Sequence, residues 1–180
     1  MDKRKVGIIL FFLFIIIGFF TSLYLIKLHY DIINNTGSDF CKFGSFFDCS
    51  IVGTSRFSEI FNIPVGYLGA LWFFINLLLF YNHLKNEDDK SNLLVWNVLG
   101  LLFVIYFFYA EFILKSICIF CTLTHLMVIG SFLLVIFLLK PKFNIKDCFR
   151  YNSRNDMILA LLLFIVHWVV FNMFSNVKIF

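Results

Sequence analysis

Charge is scarce in this chain. Asp, Glu, Lys and Arg make up 14% of its 180 residues, against about 25% in a soluble domain. Apolar residues reach 61%. Together these figures exclude a free-standing soluble fold and make lipid the main solvent. The net charge of +4 comes from basic loops and does not point to nucleic acid. No internal repeat is visible, and no appended soluble domain is expected. The first apolar run follows Lys3, Arg4 and Lys5 but lacks a small-x-small cleavage site and is too long for a signal-peptide core, so it reads as an uncleaved anchor. Histidine is missing directly after Cys121, where Thr122 stands, which excludes a c-type haem site.

What is present is a series of apolar runs. A transmembrane helix needs roughly 20 mostly apolar residues, and five stretches qualify or nearly so: about 6–26, 66–81, 93–114, 119–139 and 157–174. The expected fold is an all-α integral membrane protein of five transmembrane helices, forming one domain over 1–180, with a polar outer loop over 27–65. The short loops hold the basic residues unevenly. With the N-terminus in the cytoplasm, Lys3, Arg4, Lys5, Lys85, Lys90, Lys140, Lys142, Lys146, Arg150 and Arg154 lie inside, while Lys27, Lys42, Arg56, Lys115 and Lys178 lie outside. The positive-inside rule favours that orientation.

It places four of the five cysteines on the outer face, where disulfides form and persist. Cys41 and Cys49 lie in the outer loop, and Cys118-Ile119-Phe120-Cys121 opens the fourth span. Thiols at i and i+3 share one helix face, and a helix N-terminus stabilises a thiolate through its dipole and free amides. That is the arrangement of a redox dithiol. One pair suffices for a staple, whereas two suit a relay in which a thiolate attacks a disulfide. Two other readings stay open: a four-cysteine zinc site, which the seven-residue gap fits poorly, and a pair of static disulfides. Cys148 falls on the cytoplasmic side and reads as unpaired and non-catalytic.

Other polar residues accompany the thiols. His125 lies one turn beyond Cys121 and can face the same pocket. A polar group inside a span is a functional-site hypothesis, the structural alternative being an interhelix hydrogen bond. Glu111 and Lys115, at i and i+4, are expected to form a surface ion pair, with a proton relay as the functional alternative. His29 and His83 flank spans and read as interfacial.

The order of motifs is more telling than any one of them: Cys41-x7-Cys49, then Ser55-Arg56, then Asn62-x3-Gly66 leading into a span, then Cys118-x2-Cys121 opening a later one. This order resembles the vitamin K epoxide reductase family, most closely its bacterial quinone-reducing members, over most of the chain. The resemblance implies four helices around a quinone, capped by the outer loop and a short half-helix, for which 54–61 is the expected segment with Thr54 or Ser55 as N-cap. Cys121 resembles the thiol that meets the quinone ring, and Cys118 the one that exchanges with the loop. Cys49 then bridges transiently to Cys118, and Cys41 receives electrons from a partner protein. Asn62 resembles a donor to one quinone carbonyl, and Ser55 a polar residue that positions the ring. His125 stands where the animal enzymes carry a ligand-bonding Tyr.

The implied activity is that of a membrane thiol oxidoreductase. It reoxidises a separate DsbA-like thioredoxin-fold protein and reduces a quinone of ubiquinone or menaquinone type, without metal or flavin, in a bacterial inner membrane with its cysteines on the periplasmic side. The alternatives are a vitamin K quinone or epoxide reductase whose product is the reduced cofactor, and a disulfide-stapled scaffold with no enzymatic role.

Overall fold

A computed structural model describes residues 3–34, 41–43, 46–60, 62–85 and 90–139. All belong to one compact unit, Met1–Pro141. The fifth expected span at 157–174, the loop before it and Cys148 lie outside the described residues.

Four long helices dominate: α1 (Lys3–Ile33), α3 (Val65–Lys85), α4 (Lys90–Leu114) and α5 (Ile119–Leu139). Each is long and apolar enough to cross a membrane, so the chain is an integral membrane protein. Helix α1 packs against α3 and α5, and α4 packs against the same two, which closes the four into a ring. Phe11, Ile15, Phe73, Phe80 and Val135 are almost fully buried between them. Phe20, Leu102, Ile105 and Phe112 stand exposed on the outside, the arrangement expected where lipid covers the surface.

Small residues and polar pairs hold the ring, as they must where helix association gains nothing from excluding water. Gly18 of α1 lies directly under the ring of Phe73, and Gly66 of α3 lies against the backbone of α1 at Ser22. Between α3 and α4, Trp72 donates its indole N–H to the carbonyl of Trp96 (3.3 Å), and Trp96 donates to that of Trp72 (3.2 Å). One turn deeper, the fully buried Asn97 amide donates to Asn76 Oδ1 (2.9 Å) and accepts from the Ser131 hydroxyl of α5 (3.2 Å). The two tryptophans are thus packing residues.

Helix α1 runs one to two turns beyond the expected end at 26. Its last turns carry Lys27, His29 and Asp31, and polarity there does not end a helix whose backbone bonds continue. His29 is buried rather than interfacial, and its Nε2 meets Glu59 Oε1 at 2.9 Å. The cap that follows is built from two short hairpins and a half-helix. Strands β1 (Lys42–Phe43) and β2 (Phe47–Asp48) pair antiparallel, as do β3 (Glu59–Ile60) and β4 (Ile63–Pro64).

The half-helix is α2, Cys49–Gly53, not the expected 54–61. Asp48 is the reason. Its side chain accepts from the N–H of Ser50 (2.8 Å) and of Ile51 (3.4 Å), so it is the N-cap, and Thr54 closes the other end as C-cap.

Candidate functional site

The site is assembled where the first hairpin meets the start of α5. Cys41 precedes β1 and Cys49 follows β2, so the hairpin register, Lys42 opposite Asp48 and Phe43 opposite Phe47, brings the two cysteines face to face. They form a disulfide with Cα atoms 5.6 Å apart. The linker between α4 and α5 then docks on this hairpin. Ile117 N–H donates to the Phe46 carbonyl (2.9 Å), Phe47 and Ile117 form a parallel bridge, and the Ser116 hydroxyl donates to the Asp48 carbonyl (3.1 Å). The residue after each docked segment is a cysteine: Cys49 on one side, Cys118 on the other.

The consequence is a tight cluster of sulfurs. Sγ of Cys41, Cys49 and Cys118 all lie within 4.8 Å of one another, and all three residues are buried. Leu25, Leu28, Ile32, Val52 and Phe120 surround them. Two of the three sulfurs are bonded to each other and so offer no thiolate to a metal. A disulfide with a third sulfur in contact is instead the arrangement for thiol–disulfide exchange. Cys118 and Cys121 are both reduced thiols.

Cys118 is the N-cap of α5. Its Sγ accepts the N–H of Cys121 at 3.3 Å, the bond a serine or aspartate oxygen would accept at that position, and its carbonyl accepts from the N–H of Thr122 (2.9 Å). The hydrogen bond from the Cys121 side chain, helped by the N–H groups of Cys121 and Phe120, holds the Cys118 thiol below its ordinary range, against burial and the nearby Glu111 carboxylate, which push it up. A lower value favours the thiolate, the reactive form. In reduced protein, alkylation of Cys118 by a small neutral reagent should therefore show a midpoint below that of a free cysteine, about 8.5. Cys121→Ala should raise it. Mass-spectrometric alkylation rates against pH check both, and a midpoint unmoved by Cys121→Ala contradicts the assignment.

Three further residues were expected near a ligand. His125 is buried on α5, its ring stacked with Phe107 (centroids 6.0 Å apart, 15° between planes) and tilted against Phe108 (4.9 Å). Its Nδ1 is buried without a hydrogen-bond partner. Ser55 closes the turn after α2: its hydroxyl donates to the Val52 carbonyl (2.7 Å) and accepts from Phe57 N–H (3.3 Å). Asn62 is exposed in the turn between β3 and β4 with φ 61°, a left-handed conformation that asparagine tolerates better than most residues. Arg56 lies over the Phe57 ring at 5.3 Å and anchors the cap.

The expected Glu111–Lys115 ion pair does not form. Lys115 has φ 51° and leaves the helix, while Ser116 N–H returns to the Glu111 carbonyl and Lys115 N–H to that of Phe112 (both 3.3 Å), a helix-ending motif usually built on glycine. Glu111 is buried instead, and its Oε1 accepts the N–H of Cys118 (3.3 Å). Sequence reasoning placed Glu111 on the surface because it assumed four more helical residues. A carboxylate seven residues before a Cys-x-x-Cys was the available signal.

Compared with known protein families, the chain matches the vitamin K epoxide reductase family over residues 9–136, well over half of the chain and all four cysteines described above. No curated protein matches the chain.

Proposed function

The chain belongs to the vitamin K epoxide reductase family, and from that premise we propose that it is a membrane thiol oxidoreductase that reoxidises a DsbA-like thioredoxin-fold protein and reduces a membrane quinone. The observation that carries this reading is the closeness of the Cys41–Cys49 disulfide to the reduced Cys118, with three sulfurs inside 4.8 Å.

The proposed path begins at Cys41, which is attacked by the partner's thiolate and then released as the partner becomes oxidised. Cys49 passes the electron pair to Cys118 through a transient Cys49–Cys118 bond, and Cys121 stands on the bilayer side of the motif. A quinone takes up two electrons and two protons in becoming the quinol. The residues present fit such a ring: His125 offers a buried nitrogen with no partner, beside Phe107 and Phe108. On this reading His125 bonds one quinone oxygen, and Ser55 and Asn62 belong to the capping side of the pocket. A loop disulfide beside a reduced helix-end pair is the arrangement this path leaves once the electrons have moved inward. The cap faces the periplasm of a bacterial inner membrane, and the N-terminus faces the cytoplasm.

The test is quinone reduction by purified protein, with dithiothreitol or a reduced DsbA-like protein as donor. Wild type should accept both. Cys41→Ser and Cys49→Ser should lose the protein-driven reaction and keep much of the dithiothreitol-driven one, because Cys121, the partly exposed thiol of the inner pair, is open to a small reagent. Vitamin K epoxide offered in place of quinone should not turn over. Reduction of the epoxide would favour the cofactor-producing alternative, and no quinone reduction by wild type would sink the proposal.

A further inference from the structure

The exchange cluster is dry. Cys49 and Cys118 are each 2% exposed and Cys41 6%, so a proton leaving or reaching Cys118 cannot go straight to bulk water. An ionisable group of the protein must carry it. Glu111 is placed to do so: it is buried, its carboxyl is bonded to the Cys118 backbone at 3.3 Å, and it interacts electrostatically with both Cys118 and Cys121.

We propose that Glu111 is the proton-carrying partner of Cys118, taking the thiol proton when the thiolate forms and returning it when the sulfur is released from a disulfide. The inference rests on the relay reading above. In the inward step the Cys49 thiolate attacks Cys118 Sγ; the Cys49–Cys118 bond forms, the Cys118–Cys121 bond breaks, and Cys121 leaves with the electron pair. The Cys41 thiolate then attacks Cys49 Sγ; the Cys41–Cys49 bond forms and Cys118 leaves as a thiolate, which Glu111 protonates. Of the two protons given up by Cys41 and Cys49, one restores Glu111 and the other ends on Cys121. Two electrons and two protons have moved from the loop pair to the helix-end pair.

The titratable groups facing Glu111 from α5 are Cys118 and Cys121. His125, a turn further on, lies against Phe107 and Phe108. From the cap, Asp48 is committed to the N–H groups of Ser50 and Ile51, and Arg56 lies over Phe57. On its own side, Lys115 is exposed.

Glu111→Gln is the discriminating variant, because Gln keeps an oxygen for the Cys118 N–H but carries no proton. Two quantities are measured on the full chain. The first is Cys118 alkylation against pH in reduced, quinone-free protein. The Cys118 midpoint should fall in Glu111→Gln relative to wild type, with several-fold faster alkylation near neutral pH, since no carboxylate opposes the thiolate. The second is dithiothreitol-driven quinone reduction, which should fall about a hundredfold, the scale of a lost general acid–base. Faster alkylation with slower turnover supports proton carrying. Turnover unchanged overturns it, and so does a fall in both rates, which marks a structural role. If wild type reduces no quinone, the relay reading fails first, and the alkylation profile alone decides on Glu111: a lower midpoint in the variant than in wild type supports it, and identical profiles overturn it.

Discussion

Serine at position 118 should lower the proposed quinone reduction by about three orders of magnitude or more with either donor, the scale on which removing a nucleophile acts. The reason is that Cys118 is the sulfur within 4.8 Å of the loop disulfide and also the one bonded to the Cys121 N–H. Either half of the path fails without it. Cys121→Ser should have the same effect on turnover. A companion variant exposes the order of transfer: Cys41→Ser leaves Cys49 unpaired next to Cys118, so mild oxidation should accumulate a Cys49–Cys118 bond, visible by peptide mapping under non-reducing conditions. Turnover of Cys118→Ser within tenfold of wild type, or no such bond in Cys41→Ser, would remove Cys118 from the path.

The second large effect concerns the ring itself. A Cβ on Gly66 would lie 2.9 Å from the Ser22 carbonyl oxygen and 2.8 Å from Ile26 Cγ1. The carbonyl belongs to helix backbone and cannot step aside, so Gly66→Ala must push α1 and α3 apart, at a cost of about 1–3 kcal/mol. Gly7→Ala is the control. Its Cβ would meet only Leu138 side-chain atoms, the nearest Cδ2 at 2.8 Å, and a rotamer change relieves that. Unfolding in mixed micelles should therefore separate the two variants. Equal stability would mean that α1 and α3 do not approach as closely as Gly66 implies.

Both effects show what the sequence could and could not reveal. Apolar runs of membrane length are a property of composition, and the four described spans fell close to their expected places. Pairing the cysteines with their helices was legible for the same reason: Cys-x-x-Cys sits where a span begins. The errors share a cause, which is that helix ends are set by caps rather than by polarity. Helix α1 ran past Lys27 because nothing capped it there. The half-helix lies at Cys49–Gly53, ahead of the expected segment, because Asp48 is its N-cap. Glu111 was misplaced because Lys115 takes a left-handed turn, and no local pattern of an ordinary lysine announces that. Docking of the linker onto the first hairpin was illegible, since backbone pairing between distant segments leaves no side-chain signature.

That docking also imposes a sequence of events in time. Asp48 and Ser116 are 68 positions apart, and a chain is made from its N-terminus. The first hairpin therefore leaves the ribosome well before the segment it receives. Until α4 and α5 have been inserted, Cys41 and Cys49 have only each other among the four thiols, and their hairpin register already aligns them. The loop disulfide can be complete as a unit before the Cys118–Cys121 pair exists, and the late arrival of Ser116, Ile117 and Cys118 is what brings a third sulfur against a closed hairpin.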